Sequence, residues 1–148
     1  MKKVLVAYDS RKGHTKSMAE YIAEGVRIGG HDADVMAISD VQNEKVLSGY
    51  DGFAFGCPTY HRDMTPGMKM FLFVAEKANL AAKVGGAFGS CTHSGDAPGI
   101  IFDTMEHVFK MNMVSLGSFN MKEHIISTID GLRACQSYGK GIAAQMEP

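Results

Sequence analysis

The stretch Val4-Leu5-Val6-Ala7-Tyr8-Asp9-Ser10-Arg11-Lys12-Gly13-His14-Thr15 decides the fold. Its opening residues, Val4 to Tyr8, are apolar and partly β-branched and read as a buried strand, and the remainder is a polar loop holding a single glycine. Met18, Ala19, Ile22, Ala23 and Val26 then recur at helical spacing. A strand, a tight loop and a helix in succession bring free backbone N–H groups and the positive end of a helix dipole to one point. Such a point suits an anion, phosphate above all. Ser10 and Thr15 offer hydroxyl donors, Arg11 and Lys12 are basic, His14 adds an imidazole, and Gly13 permits a turn that a side chain would block. The amides of residues 11 to 15 can then point inward. Neither G-x-x-x-x-G-K-[ST] nor G-x-G-x-x-G is present, which argues against nucleoside triphosphates and dinucleotides at this end. The residues alone equally allow an ordinary helix cap, with Thr15 capping and Ser10 in a turn.

Outward from that stretch, strands and helices alternate. Gly29-Gly30 stops the first helix, and Ala33 to Ile38 reads as a second strand. A short helix is expected around Glu44 to Leu47. Gly52 to Gly56 is an all-apolar third strand, as in the buried middle of a parallel sheet. It opens into the polar loop Cys57-Pro58-Thr59-Tyr60-His61-Arg62-Asp63, followed by a helix from Gly67 to Asn79. Lys83 to Gly89 is a fourth strand, which opens into Ser90-Cys91-Thr92-His93-Ser94-Gly95-Asp96. A helix from Pro98 to Lys110 precedes a short fifth strand, Met113 to Gly117. Phe119 to Ile129 has no clear period, and a helix from Leu132 to Met146 closes the chain. The alternation implies a three-layer α/β/α domain, a doubly wound five-stranded parallel sheet in the order 2-1-3-4-5. Ligands of such sheets sit beyond the carboxyl ends of the strands at a switch point. The loops after strands one, three and four therefore meet in one crevice.

Length and composition narrow the function. The 148 residues fit a single domain, 1–148, and are 45% hydrophobic and 21% charged, which excludes a disordered chain. No apolar run is long enough to span a bilayer and no signal-type segment opens the chain, so membrane insertion is not expected and a cytoplasmic location is. A formal net charge of −1 points neither to nucleic acid nor to an anionic surface. Cys57, Cys91 and Cys135, an odd set without C-x-x-C spacing, read as thiols in a reducing compartment. With His61 and His93 each alone in its loop, no metal site is expected. Cys57 and Cys91 follow adjacent strands and should lie near each other, as two small residues in preference to a redox pair.

Several pieces in this order resemble the flavodoxin family: Tyr8-Asp9-Ser10 through Thr15, Gly56-Cys57-Pro58-Thr59-Tyr60, Pro66-Gly67-Met68-Lys69, and Ala87-Phe88-Gly89-Ser90 followed by Ser94-Gly95. The resemblance covers nearly the whole chain and implies noncovalent FMN. Ser10, Arg11, Lys12, Gly13, His14 and Thr15 would then take the phosphate. Pro58, Thr59, Tyr60, His61 and Arg62 from the second loop, and Ser90, Cys91, Thr92, His93 and Gly95 from the third, would flank the isoalloxazine. Tyr60, His61 and His93 carry the flat faces that a flavin ring needs. The chain differs from the family's strongly acidic carriers in its near-neutral charge, has no Trp, and carries Tyr60-His61-Arg62-Asp63 where a Gly is common.

The resemblance implies an electron carrier that moves low-potential electrons between redox partner proteins, such as a reductase or ferredoxin-linked donor and a further acceptor, as a monomer or weak dimer. The alternative is an enzyme of the same architecture, an NAD(P)H:quinone or FMN reductase. A flavin-free receiver module would want clustered acids after strand one, where Asp9 stands alone.

Overall fold

The computed structural model describes residues 1–147. Its central sheet runs in the order β2-β1-β3-β4-β5, built from β1 Lys3–Tyr8, β2 Asp32–Ala37, β3 Gly52–Gly56, β4 Val84–Cys91 and β5 Asn112–Met113. A sixth strand, β6 Phe119–Lys122, also pairs with β4. Every strand pair is parallel. The expected 2-1-3-4-5 sheet is therefore present, with its fifth position shared by two short strands.

Helices cover both faces. Helices α2 Pro66–Glu76 and α3 Asp96–His107 seal one core against Leu5, Phe53 and Phe55. Helices α1 His14–Ile28 and α5 Ile129–Gln145 seal the other against Val4, Val6 and Phe88. Alternate residues of β1 thus feed opposite cores, as the period of two requires. Phe53, Phe55 and Phe88 are wholly buried, and burying each side chain is worth roughly 1.5–3 kcal/mol. Glu44–Leu47 forms a 3-10 turn, and a one-turn helix, α4 Glu123–Ile126, follows β6.

The fifth position departs most from expectation. Only Asn112 and Met113 pair with Val84 and Gly85; the chain then leaves the sheet and returns at Phe119 to pair with Phe88 through Cys91. The expected strand from Met113 to Gly117 is a detour, and the aperiodic segment after it holds the real second half of the edge. In the gap, the Tyr138 hydroxyl accepts from the Ala87 N–H at 3.0 Å and lies 2.8 Å from the Gly117 carbonyl. One buried hydroxyl thus supplies a partner that a continuous strand would have supplied. Stacking on Phe119, with ring centroids 5.1 Å apart, fixes the tyrosine in place.

Candidate functional site: three loops at the carboxyl edge

Loop one, residues 9–13, starts where β1 ends. The Asp9 N–H is held by the Gly56 carbonyl at 2.9 Å, and the Ser10 hydroxyl accepts from the Gly13 N–H at 3.1 Å. Ser10 is therefore in a turn. Gly13 takes φ +90° at the cap of α1, a left-handed conformation that disfavours any side chain. Thr15 is not the cap; it sits in the first turn, 1% exposed, with its Oγ1 2.8 Å from Ser90 Oγ. Because the two hydroxyls can share one proton, Ser90 donating to Thr15 leaves the Thr15 proton free for a ligand. Among the described residues, the N–H groups of Arg11, Lys12, His14 and Thr15 have no protein acceptor. These are the donors that the start of a helix leaves open.

Loop two continues β3. Thr59 donates its N–H to the Ser90 carbonyl at 3.0 Å, and its hydroxyl accepts from Ala97 N at the start of α3, also at 3.0 Å. Tyr60 and Asp63 exchange two backbone hydrogen bonds of 3.0 Å around His61 and Arg62. Those two residues have φ of 51° and 64°, so this is a two-residue hairpin with both central residues left-handed, the pattern of a type I′ turn. Without glycine, such backbone costs on the order of 1 kcal/mol per residue or more. Lys69 pairs with Asp63 and, with the Met64 N–H, holds its carboxyl below the usual range. Arg62 Nε pairs at 3.2 Å with Asp96 of α3, so the hairpin tip is tied to the far side of the third loop.

Loop three is shaped from beneath by β6. Lys122 Nζ donates to the carbonyls of His93 at 2.7 Å and Thr92 at 3.4 Å, and Asn120 Nδ2 donates to Cys91 Sγ at 3.2 Å. The Asn120 amide packs so closely on Gly95 that a Cβ there would meet it at 2.0 Å. A larger residue at position 95 would have to displace the Asn120 amide.

Half of the expected site residues converge. Ser10, Arg11, Lys12, His14, Thr15, Pro58, Tyr60 and Ser90 line one recess, joined by Glu123 of α4. It is narrow, about 10 Å³, close to the room one water needs. Arg11, exposed, lies over the Tyr60 ring at 5.3 Å and is a side chain with freedom to widen it. His61, Arg62, Thr92 and His93 are exposed at the loop tips and do not line the recess. Cys91 is 2% exposed and faces Asn120. Cys57 is wholly buried on the same sheet face, opposite Gly89, its thiol engaged by Thr65; burial pushes that thiol up to about 12. The two cysteines are free and have different partners. A larger hollow of about 680 Å³ between α1 and β2 is lined by Glu20, Glu24, Asp34 and Arg27. It lies off the edge where the strands end, and three loops with open donors outweigh its volume.

Sequence reading missed four residues that shape the site: Asp9, Asn120, Lys122 and Glu123. Asp9 accepts from the Thr65 hydroxyl at 2.6 Å, and that hydroxyl in turn caps α2 through the Met68 N–H. Its position directly after a buried strand was the available signal. The other three lie in the segment that lacks periodicity.

The family model described as Flavodoxin matches residues 6–124. The chain belongs to the flavodoxin family. A solved flavodoxin from the domain Archaea superposes with a TM-score of 0.86 at 30% identity, covering 97% of each chain. A flavodoxin of Clostridium saccharobutylicum is 32% identical over 60% of this chain, spanning 55% of that protein. An NAD(P)H dehydrogenase (quinone) of Gluconacetobacter diazotrophicus is 32% identical over 79% of this chain and 71% of that protein. This is a fold of electron-transfer flavoproteins, and FMN is their cofactor. The loops fit it: open N–H groups and hydroxyls suit a phosphate ester, and Tyr60 supplies an aromatic face beside them. No helix among the described residues is long and apolar enough to cross a membrane.

Proposed function

We propose that the chain is a single FMN-binding domain, residues 1–148, that carries electrons between redox partner proteins. The bound flavin supplies the redox chemistry. Loop one holds the phosphate through the N–H groups of Arg11 to Thr15 and the Ser10 and Thr15 hydroxyls. Tyr60 and loop three border the ring, and the backbone of Pro58, Thr59, Cys91 and Gly95 shapes its edge. The Thr15–Ser90 hydrogen bond carries this reading, because it ties the phosphate loop to the ring loop inside the protein. Arg62 at the hairpin tip puts positive charge at the mouth, where it would favour a reduced, anionic ring.

The match to the archaeal flavodoxin over 97% of both chains supports a carrier. A second reading, an NAD(P)H:quinone oxidoreductase, draws on relatives of that name that are 28–32% identical to this chain. The absorption spectrum of the protein reconstituted with FMN tests the cofactor. Stopped-flow mixing with NADPH and a quinone then separates the readings: rapid bleaching and turnover favour the enzyme, and bleaching only through a reductase favours the carrier.

A further inference from the structure

A carboxylate at an anion site is the feature that the phosphate reading leaves unused. Glu123 lines the recess beside loop one, with Oε2 3.7 Å from His14 Nε2; their side chains are 19% and 38% exposed. A phosphate monoester carries close to two negative charges at neutral pH, and a half-buried carboxylate next to it opposes binding. A site that only had to hold phosphate would place a neutral or positive group there. We propose that His14 and Glu123 make phosphate-ester binding at loop one proton-linked, so that the phosphorylated flavin is selected near neutral pH and released as pH rises. This rests on the reading that loop one takes the FMN phosphate.

The charges around His14 support the assignment. Loop one contributes Arg11 and Lys12, both exposed and therefore screened. Lys16, one turn on, lines a different recess beside Asp9. From β6, Lys122 turns its ammonium toward the Thr92 and His93 carbonyls. From loop two, Tyr60 lies under Arg11, and from β4, Ser90 is neutral. His124, beside Glu123, is exposed. Glu123 is therefore the anion that faces the imidazole.

With the imidazole neutral, an incoming phosphate meets a carboxylate that only the exposed, screened Arg11 and Lys12 offset. A proton on the imidazole makes the pair neutral and gives the phosphate a cation. Bound phosphate thus favours the protonated imidazole. Affinity from such a group is whole while the imidazole holds its proton and is lost as rising pH removes it. Phosphate's own second ionisation, near pH 6, acts in the opposite direction and is largely over by about pH 7. The range above pH 7 therefore isolates the pair.

The test titrates apoprotein with FMN and with riboflavin at about pH 7 and 8.5, following flavin fluorescence, in wild type, His14→Gln and Glu123→Gln. Wild-type FMN affinity should fall roughly three- to tenfold across that range while riboflavin affinity stays flat. His14→Gln should abolish the dependence, and Glu123→Gln should tighten FMN about threefold or more at the higher pH without changing riboflavin. If wild type prefers FMN but shows no such pH dependence, or if Glu123→Gln weakens FMN, the proposal fails and the phosphate site stands. Equal affinity for both ligands, or none for either, overturns the phosphate reading and the proposal together.

Discussion

Replacing Thr15 with Val removes one hydroxyl at nearly constant volume and should be felt twice. The Thr15 and Ser90 hydroxyls lie 2.8 Å apart and each residue is 1% exposed, so bulk water has little access to the partner left behind. Leaving the Ser90 hydroxyl unpaired costs about 1–3 kcal/mol of apoprotein stability. The second effect belongs to the ligand. A hydroxyl donating to a charged phosphate is worth about 1.5–3 kcal/mol, or about ten- to a hundredfold in FMN affinity. Riboflavin, which has no phosphate, should bind as before. Urea unfolding of apoprotein reads the first effect and paired FMN and riboflavin titrations read the second. Ser90→Ala separates them, because it loses stability while the Thr15 donor remains, and the double variant measures the coupling. Equal loss for both flavins would refute the phosphate contact. Unchanged apoprotein stability would refute the buried pair as a contributor.

Tyr138→Phe should cost about 1–3 kcal/mol, because the Ala87 N–H loses its acceptor inside the sheet; urea unfolding measures the loss, and hydrogen exchange at Ala87 should show local exposure first. Burial, and then the Asp34 carboxylate, push Tyr50 up to about 12, while burial pushes Cys57 and Cys135 up to about 12. Each folded pKa exceeds its unfolded value, so these groups contribute stability that is whole below about pH 9 and lost as pH rises toward about 12, visible as a falling urea midpoint between about pH 8 and 11. The same burial predicts that neither thiol reacts with a disulfide reagent in native protein near pH 8; rapid labelling of either would contradict the packing. Arg62→Glu should lower the potential of the bound flavin. A unit charge about 8 Å away is worth about 0.5 kcal/mol in water and about 2 at an effective dielectric of about 20, or about 20 to 90 mV per electron, and reversal from +1 to −1 doubles that. The 81% exposure of Arg62 favours the lower figure, and an upward shift in spectroelectrochemical titration at low salt would refute the sign.

What could be read from sequence follows the strength of the local signal. β1, β3 and β4 are apolar runs bounded by polar loops, and their order alone brings the three loops to one edge. Side chains that pack onto neighbours distant in sequence left no such mark. Met113 to Gly117 looks like a strand by composition, yet only its first residue pairs, because Tyr138, some 20 residues on, satisfies the backbone in the gap. β6 alternates covered residues, Phe119 and Met121, with exposed ones over four positions, too few for a period to show. The same blindness hid Asn120, Lys122 and Glu123. Sequence places Arg62 beside the flavin ring; the left-handed turn sends it to Asp96, and Lys69 takes Asp63. The exclusion of glycine from that turn was legible, whereas its consequence for direction was not.

The contacts among the loops divide by burial, and that division suits electron transfer. At the base, Thr15 with Ser90 and Ala97 N with Thr59 are hydrogen-bonded and buried, and Thr65 with Asp9 is hydrogen-bonded and part-buried. Each is worth on the order of 1 kcal/mol and holds a loop to its neighbour before any ligand arrives, which lowers the ordering cost of binding. At the tips, His61, Arg62, Thr92 and His93 are exposed, and the Arg62–Asp96 pair that joins them is a surface ion pair worth at most about 1 kcal/mol. A partner that approaches the cofactor meets the tips first. Displacing that pair is cheap and leaves the buried base unmoved, so docking can reshape the mouth of the site without disturbing the groups proposed to hold the phosphate.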